Sequence, residues 1–198
     1  MSEERLRAIR IEPLAEQHFE GFARLMETSG TGCYCRYWHF AGDKNAWLAK
    51  MAFTPEENRD EQRRALSEND GTARGLVAIV DDEIIGWLKI APRRTLDKLV
   101  RLGPYRRAEI PSGDVHGIAC LFVREDFRRR GVGADLVRAA ADYSRSIGAD
   151  FVEAFPRKLD TAVADEQLML GVSTMFDRAG FVREGGEDSF PLLRKALK

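Results

Sequence analysis

Hydrophobic and polar positions alternate most sharply between Val115 and Ala149, VHGIACLFVREDFRRRGVGADLVRAAADYSRSIGA. Ile118 to Val123 is an almost unbroken apolar run, as expected of a strand buried on both faces. Arg124 to Arg130 is charged and returns the chain to solvent. Gly131-Val132-Gly133 then opens a helix whose apolar positions are Leu136, Val137, Ala140, Ala141, Tyr143 and Ile147. Most of these stand three or four apart, on one helical face. Gly148 follows at a C′ position.

The same reading carried along the chain predicts further elements. Leu6 to Leu14 is a first strand ended by Pro13, and Ala15 to Thr28 a helix with Phe19, Phe22, Ala23, Leu25 and Met26 inward. Asn45 to Lys50 is a helical turn. Thr54-Pro55-Glu56-Glu57 starts a helix with an N-cap, a proline at N1 and an early glutamate, running to about Asn69 with a charged face. Arg74–Val80 and Glu83–Ala91 form a hairpin around Asp81-Asp82, and Gly86 marks a bulge or a close backbone approach. Pro92 to Asp114 is a long basic connection with a short helix among Leu96, Leu99, Val100 and Leu102; a loop of that length is a flap, a binding loop or solvated chain. Asp150–Phe155 is a strand. Ala162–Gly180 is helical with a break near Gly171, and Leu192–Leu197 is the last strand.

Composition narrows the class. The 198 residues fit one domain over 1–198; 44% are apolar and 32% charged, ordinary for a globular chain with a real core. A net charge of −1 gives no bulk attraction to nucleic acid or to an anionic membrane. No apolar run approaches the ~20 residues of a membrane span, and charged Met1–Arg10 is no signal peptide. The cysteines are Cys33, Cys35 and Cys120, which is no disulfide framework; a reducing cytoplasm suits them.

The turn after the strand carries the chemistry. Helix N-terminal N–H groups lack intrahelical partners and sit at the positive end of the dipole. Gly131 and Gly133 have no Cβ, and Arg128, Arg129 and Arg130 add charge, so the turn makes a pyrophosphate cradle. Read structurally, it is a strand-to-helix connection with solvated arginines. It is neither a Gly-x-Gly-x-x-Gly turn nor a Walker A loop. Arg128-Arg129-Arg130-Gly131-Val132-Gly133, directly after an apolar strand, resembles the acyl-CoA motif Arg/Gln-x-x-Gly-x-Gly/Ala of the GNAT superfamily of N-acetyltransferases.

That resemblance implies an α+β, three-layer GNAT fold with a mixed central sheet flanked by helices. It implies acetyl-CoA as cofactor and direct transfer of an acetyl group to an amine, with no covalent intermediate. The backbone of Leu121, Phe122 and Val123 would pair with the pantetheine arm, and Arg128 to Ala134, including Val132, would hold the pyrophosphate. Met175 to Phe181 resembles the family's Leu-Tyr-x-x-x-Gly-Phe segment, but Phe176 stands where many members carry the tyrosine that protonates the leaving thiolate. Met169 stands where many have asparagine, and Ser173 is the nearest polar substitute. A homodimer is compatible with the family, although nothing in the sequence specifies one.

Direct transfer needs an oxyanion donor and a base. A backbone N–H near Cys120–Phe122 is the expected donor. The family's strand glutamate is replaced by Gly117, leaving His116 beside it and Glu153 on the next strand as candidate bases. Cys120 is readable as an acyl-accepting nucleophile or as a small buried residue. The dense segment Cys33-Tyr34-Cys35-Arg36-Tyr37-Trp38-His39-Phe40 is a loop pinned to the core or, as the resemblance supports, an aromatic wall of the acceptor pocket, with Cys33, Tyr34, Cys35, Tyr37 and Trp38 against substrate. Cys33, Cys35 and His39 would supply only three ligands, so no metal is assigned. The expected acceptor is a small-molecule amine. A protein amine, or a CoA-binding module without turnover, are the alternatives.

Overall fold

A computed structural model describes residues 9–30, 32–158 and 169–198. The expected strand positions Leu6 and Ala8 and the start of the helical stretch at Ala162 lie outside the described residues. Seven strands form one sheet in the order β1-β2-β3-β4-β5-β7-β6. They are β1 (Arg10–Pro13), β2 (Gly75–Val80), β3 (Glu83–Pro92), β4 (Val115–Val123), β5 (Phe151–Ala154), β6 (Val182–Glu187) and β7 (Phe190–Ala196). Only β4 and β5 run parallel; every other neighbour is antiparallel. The helices are α1 (Phe19–Thr28), α2 (Lys44–Phe53), α3 (Glu56–Ser67), α4 (Asp97–Val100), α5 (Val132–Ser146) and α6 (Ser173–Asp177).

The layers follow from side-chain alternation. Along β2, Leu76, Ala78 and Val80 face α5, whereas Val77 and Ile79 face α1. Helix α5 buries Val132, Leu136, Val137, Ala140 and Ala141 on that sheet face. It lies close to β3 because Gly86 has no side chain; a Cβ there would stand 3.2 Å from Leu136 Cδ1 and 3.3 Å from Val132 Cγ1. On the opposite face Phe22 of α1 packs edge-on against Trp87, ring centroids 4.8 Å apart. Each such fully buried side chain contributes about 1.5–3 kcal/mol.

Two irregularities shape the middle of the sheet. Lys89 pairs with Cys120 but Ile90 pairs with Ile118, so Ala119 is an extra residue bulged out of β4. The parallel β4–β5 pairing lasts only from Val115↔Phe151 to Ile118↔Ala154. Beyond it β4 runs on to Val123 with its far edge released. Two elements exceed their sequence signals: α2 is a ten-residue helix rather than a turn, and β6 is a strand. In β6 backbone pairing to β7, with the Glu184–Arg194 ion pair, holds a charged, glycine-containing edge in place.

Candidate active site

The free edge of β4 and the start of α5 enclose a cavity of about 260 Å³. Of the residues expected to hold the cofactor, Leu121, Phe122, Val123, Arg128, Arg129, Gly131, Val132, Gly133 and Ala134 line it, together with Phe127, Gly171, Val172 and Met175. Arg129 (φ 59°) and Gly131 (φ 89°) curl the chain into the turn. The first bond of α5 runs from Asp135 N–H to Gly131 O, so the preceding N–H groups point out of the helix start. Arg128 folds back, its Nε donating to Val123 O at 3.0 Å, and lies over the Phe122 ring. Arg130 lies over Phe127 at the rim, outside the cavity lining.

The cradle fits a pyrophosphate. A Cβ on Gly133 would project to within 3.2 Å of Met175 Cε, into the space between helix start and β4. Gly131 has open space around its Cβ direction, but its positive φ favours glycine.

A second cavity, of about 240 Å³, adjoins the first along Leu121, Phe122 and Arg128. Met26, Thr28 and Ser29 from the end of α1 line it, with Cys33, Cys35, Cys120, Glu125 and Met169. Lys89 lies fully buried beneath, opposite Cys120 in register. Burial lowers its pKa to about 8, against the pull of Cys35. Cys35 Sγ accepts the Trp87 indole N–H at 3.1 Å. Hydrogen bonding from the Cys120 thiol, the Lys89 charge and Trp87 outweigh burial and lower the Cys35 pKa. The same contact and burial push Cys120 well up, and burial raises Cys33 to about 11.

Several sequence expectations change. His116 is buried at the start of β4, four residues and roughly 13 Å along the strand from Cys120. Its Nε2 stands 3.7 Å from Asp114, its Nδ1 has no partner among the described residues, and burial lowers its pKa. It lines neither cavity. Glu153 is fully buried and doubly held, by Arg93 Nε at 2.8 Å and by Arg194 Nη2 at 2.8 Å; it closes an ion cluster rather than facing a ligand. Ser173 and Phe176 stay outside the cofactor cavity: the Phe176 ring is buried against Phe181, and its neighbour Met175 faces the cavity instead. Of the aromatic wall, Tyr34 is buried in the α1 core and Tyr37 packs on Trp47. Trp38 donates its indole N–H to Ala119 O at 2.8 Å. These rings hold the loop, and the cysteines between them reach the cavity. His39 turns away to Thr95 O at 2.8 Å. Among the described residues no group of three metal-ligand side chains comes together.

Residues 30–164 match the Acetyltransferase (GNAT) family. The chain belongs to that family. GNAT folds of known structure share the whole architecture at low sequence identity. The PaiA N-acetyltransferase of Thermoplasma acidophilum, solved with coenzyme A, is 12% identical with a TM-score of 0.56, over 96% of this chain and 99% of that one. The GNAT domain of S. lividans PAT is 16% identical with a TM-score of 0.55, over 96% and 90%. A GNAT acetyltransferase of Streptococcus pneumoniae is 12% identical with a TM-score of 0.54, over 96% and 100%. Curated proteins give no sequence match.

Of the second cavity, sequence reasoning anticipated Cys33 and Cys35 and missed the end of α1 and the buried Lys89 nearby. Met26, Thr28 and Ser29 carry no motif. Lys89 does carry a signal: a charge in the middle of EIIGWLKIAP, an otherwise buried strand, has to meet a partner.

Proposed function

We propose that this GNAT protein moves an acetyl group from acetyl-CoA directly onto a primary amine of a small molecule. The observation that carries the reading is the junction of the two cavities at Leu121, Phe122 and Arg128. A thioester held along β4, with its pyrophosphate on Gly131 to Ala134, ends where the second cavity begins. Acetyl-CoA supplies the activated acetyl carbon. The N–H groups of the α5 start and Arg128 hold phosphate charge. Backbone N–H groups at the β4 bulge stabilise the developing oxyanion. Glu125 gives the acceptor cavity a carboxylate, which suits an incoming ammonium.

The cavity is bounded by the end of α1, the Cys33–Cys35 loop and β4. That enclosure favours a small amine over a protein side chain. Three free thiols suit a reducing cytoplasm. A CoA-binding module without turnover is the second reading. It draws support from Phe176, whose buried ring brings no hydroxyl to the leaving thiolate.

Calorimetric titration with acetyl-CoA, CoA and NAD tests the cofactor, and an amine screen tests turnover. One-to-one binding of both CoA forms but not NAD, with acetylated product, is the expected outcome. Binding without any product across amines and peptides supports the second reading, and no binding by folded protein removes both.

A further inference from the structure

Cys33, Cys35 and Cys120 come from distant stretches of chain and line one cavity. The buried ammonium of Lys89 donates to the carbonyl of Thr72. The sulfurs that act on it are those of Cys35, Cys120 and Cys33, while Arg36 opposes its charge. Among the described residues no carboxylate forms an ion pair with it. A buried ammonium without an anion is costly, so its charge favours the thiolate form of Cys35, the one of the three whose pKa is lowered. Cys35 is built for that part. Its sulfur takes the Trp87 N–H, and the Cys120 thiol stands beside it. Tyr34 (φ 46°) and Cys35 (φ 57°) are both left-handed, a costly pair that turns the sulfur down onto β3 and β4.

We propose that Cys35 and Cys120 are a peroxide-reactive thiol pair, Cys35 the nucleophile and Cys120 the resolving thiol, which close a reversible disulfide across the acceptor cavity. The Cys35 thiolate attacks one oxygen of a hydroperoxide; the S–O bond forms, the O–O bond breaks, and the alkoxide or hydroxide leaves to take a proton. Cys120 sulfur then attacks the Cys35 sulfenic acid; the S–S bond forms, and hydroxide leaves with the Cys120 proton as water. Two thiols give up two electrons, and the hydroperoxide is reduced to an alcohol or water. The disulfide ties the Cys33–Cys35 loop to the cavity floor and leaves the α5 cradle untouched. Its effect on amine acetylation rests on the acceptor reading above; the thiol chemistry does not.

The test treats the full-length protein with hydrogen peroxide and counts thiols. Titratable thiols are expected to fall from three to one, counting from the three free cysteines of the untreated chain. Intact mass should drop by two hydrogen atoms, peptide mapping should show Cys35 joined to Cys120, and dithiothreitol should restore all three. Cys120→Ser should instead leave a Cys35 sulfenic acid that dimedone captures. Lys89→Met should slow alkylation of Cys35 by iodoacetamide about tenfold, the effect of raising a thiol pKa by about one unit. Three thiols surviving peroxide, a bridge that includes Cys33, or equal alkylation in folded Lys89→Met protein would each overturn the proposal. The wild-type thiol count depends on no variant folding. It reads the pair even in a protein that acetylates no amine.

Discussion

The backbone N–H of Leu121 donates to the carbonyl of Met169 at 2.7 Å, on the edge of β4 that β5 has just left. A chain segment thus pairs with the strand edge where a pantetheine arm would pair. Binding of acetyl-CoA along β4 has to take that N–H over from Met169. Saturating acetyl-CoA is expected to change amide exchange over 169–172 while Leu121 stays protected. Saturation in the calorimeter with no change in these amides would place the arm elsewhere.

The two cradle glycines should fail in different ways. Gly133→Val fills the space in front of Met175 and should weaken CoA binding by about tenfold or more, which is about 1.4 kcal/mol, at near-unchanged melting temperature. Gly131→Ala meets no atom but forces alanine to a φ of 89°. It should cost about 1–2 kcal/mol of folding stability, read from urea denaturation. Undiminished CoA affinity in Gly133→Val would refute the cradle.

Glu153→Gln removes a charge that two arginines share in the interior. Uncovering Arg93 and Arg194 should lower unfolding free energy by about 3–5 kcal/mol. The pH–rate profile of the folded fraction should keep its shape. A displaced limb would return Glu153 to the proton transfer.

Acid should destabilise the fold through its histidines. Burial lowers the His39 pKa to about 2 and lowers that of His116 as well. The unfolded chain, with histidine near 6.5, then binds protons that the folded chain refuses. Unfolding free energy therefore rises with pH between about 2 and 6.5 and is lost on acidification through that window. Urea midpoints at pH 7 and pH 5 measure it. His39→Gln should flatten the difference, and an unchanged slope would assign the acid limb to other groups.

The β4–α5 unit was legible because two signals agree there. An apolar run ends at a glycine turn, and a 3.6-residue stripe follows from Val132 to Ala141. Gly86 was legible for the same reason, as a missing side chain in a buried strand. β6 was not, because its residues are largely exposed and include Gly185 and Gly186, so no period-two pattern marks it. α2 was seen only in part, since Trp47 is its one buried residue. The second cavity was legible only at Cys33 and Cys35, because it draws on α1, a loop and β4, and spacing along a chain says nothing about such meetings. Phe176 shows the opposite failure: its place in the motif is clear, but burial against Phe181 points its ring away from the cofactor.

The Trp38 indole, tied to the Ala119 carbonyl at 2.8 Å, has a consequence for anyone who would re-engineer this protein. The loop that brings Cys33 and Cys35 to the second cavity is anchored on the very residue where β4 bulges. Under the proposed function, acceptor preference and thioester alignment would be inherited together. A loop transplanted from a relative, without an indole at position 38, would strand that carbonyl and disturb the strand that aligns the thioester. On that proposal, specificity would be a property of the loop and the bulge as one transferable unit.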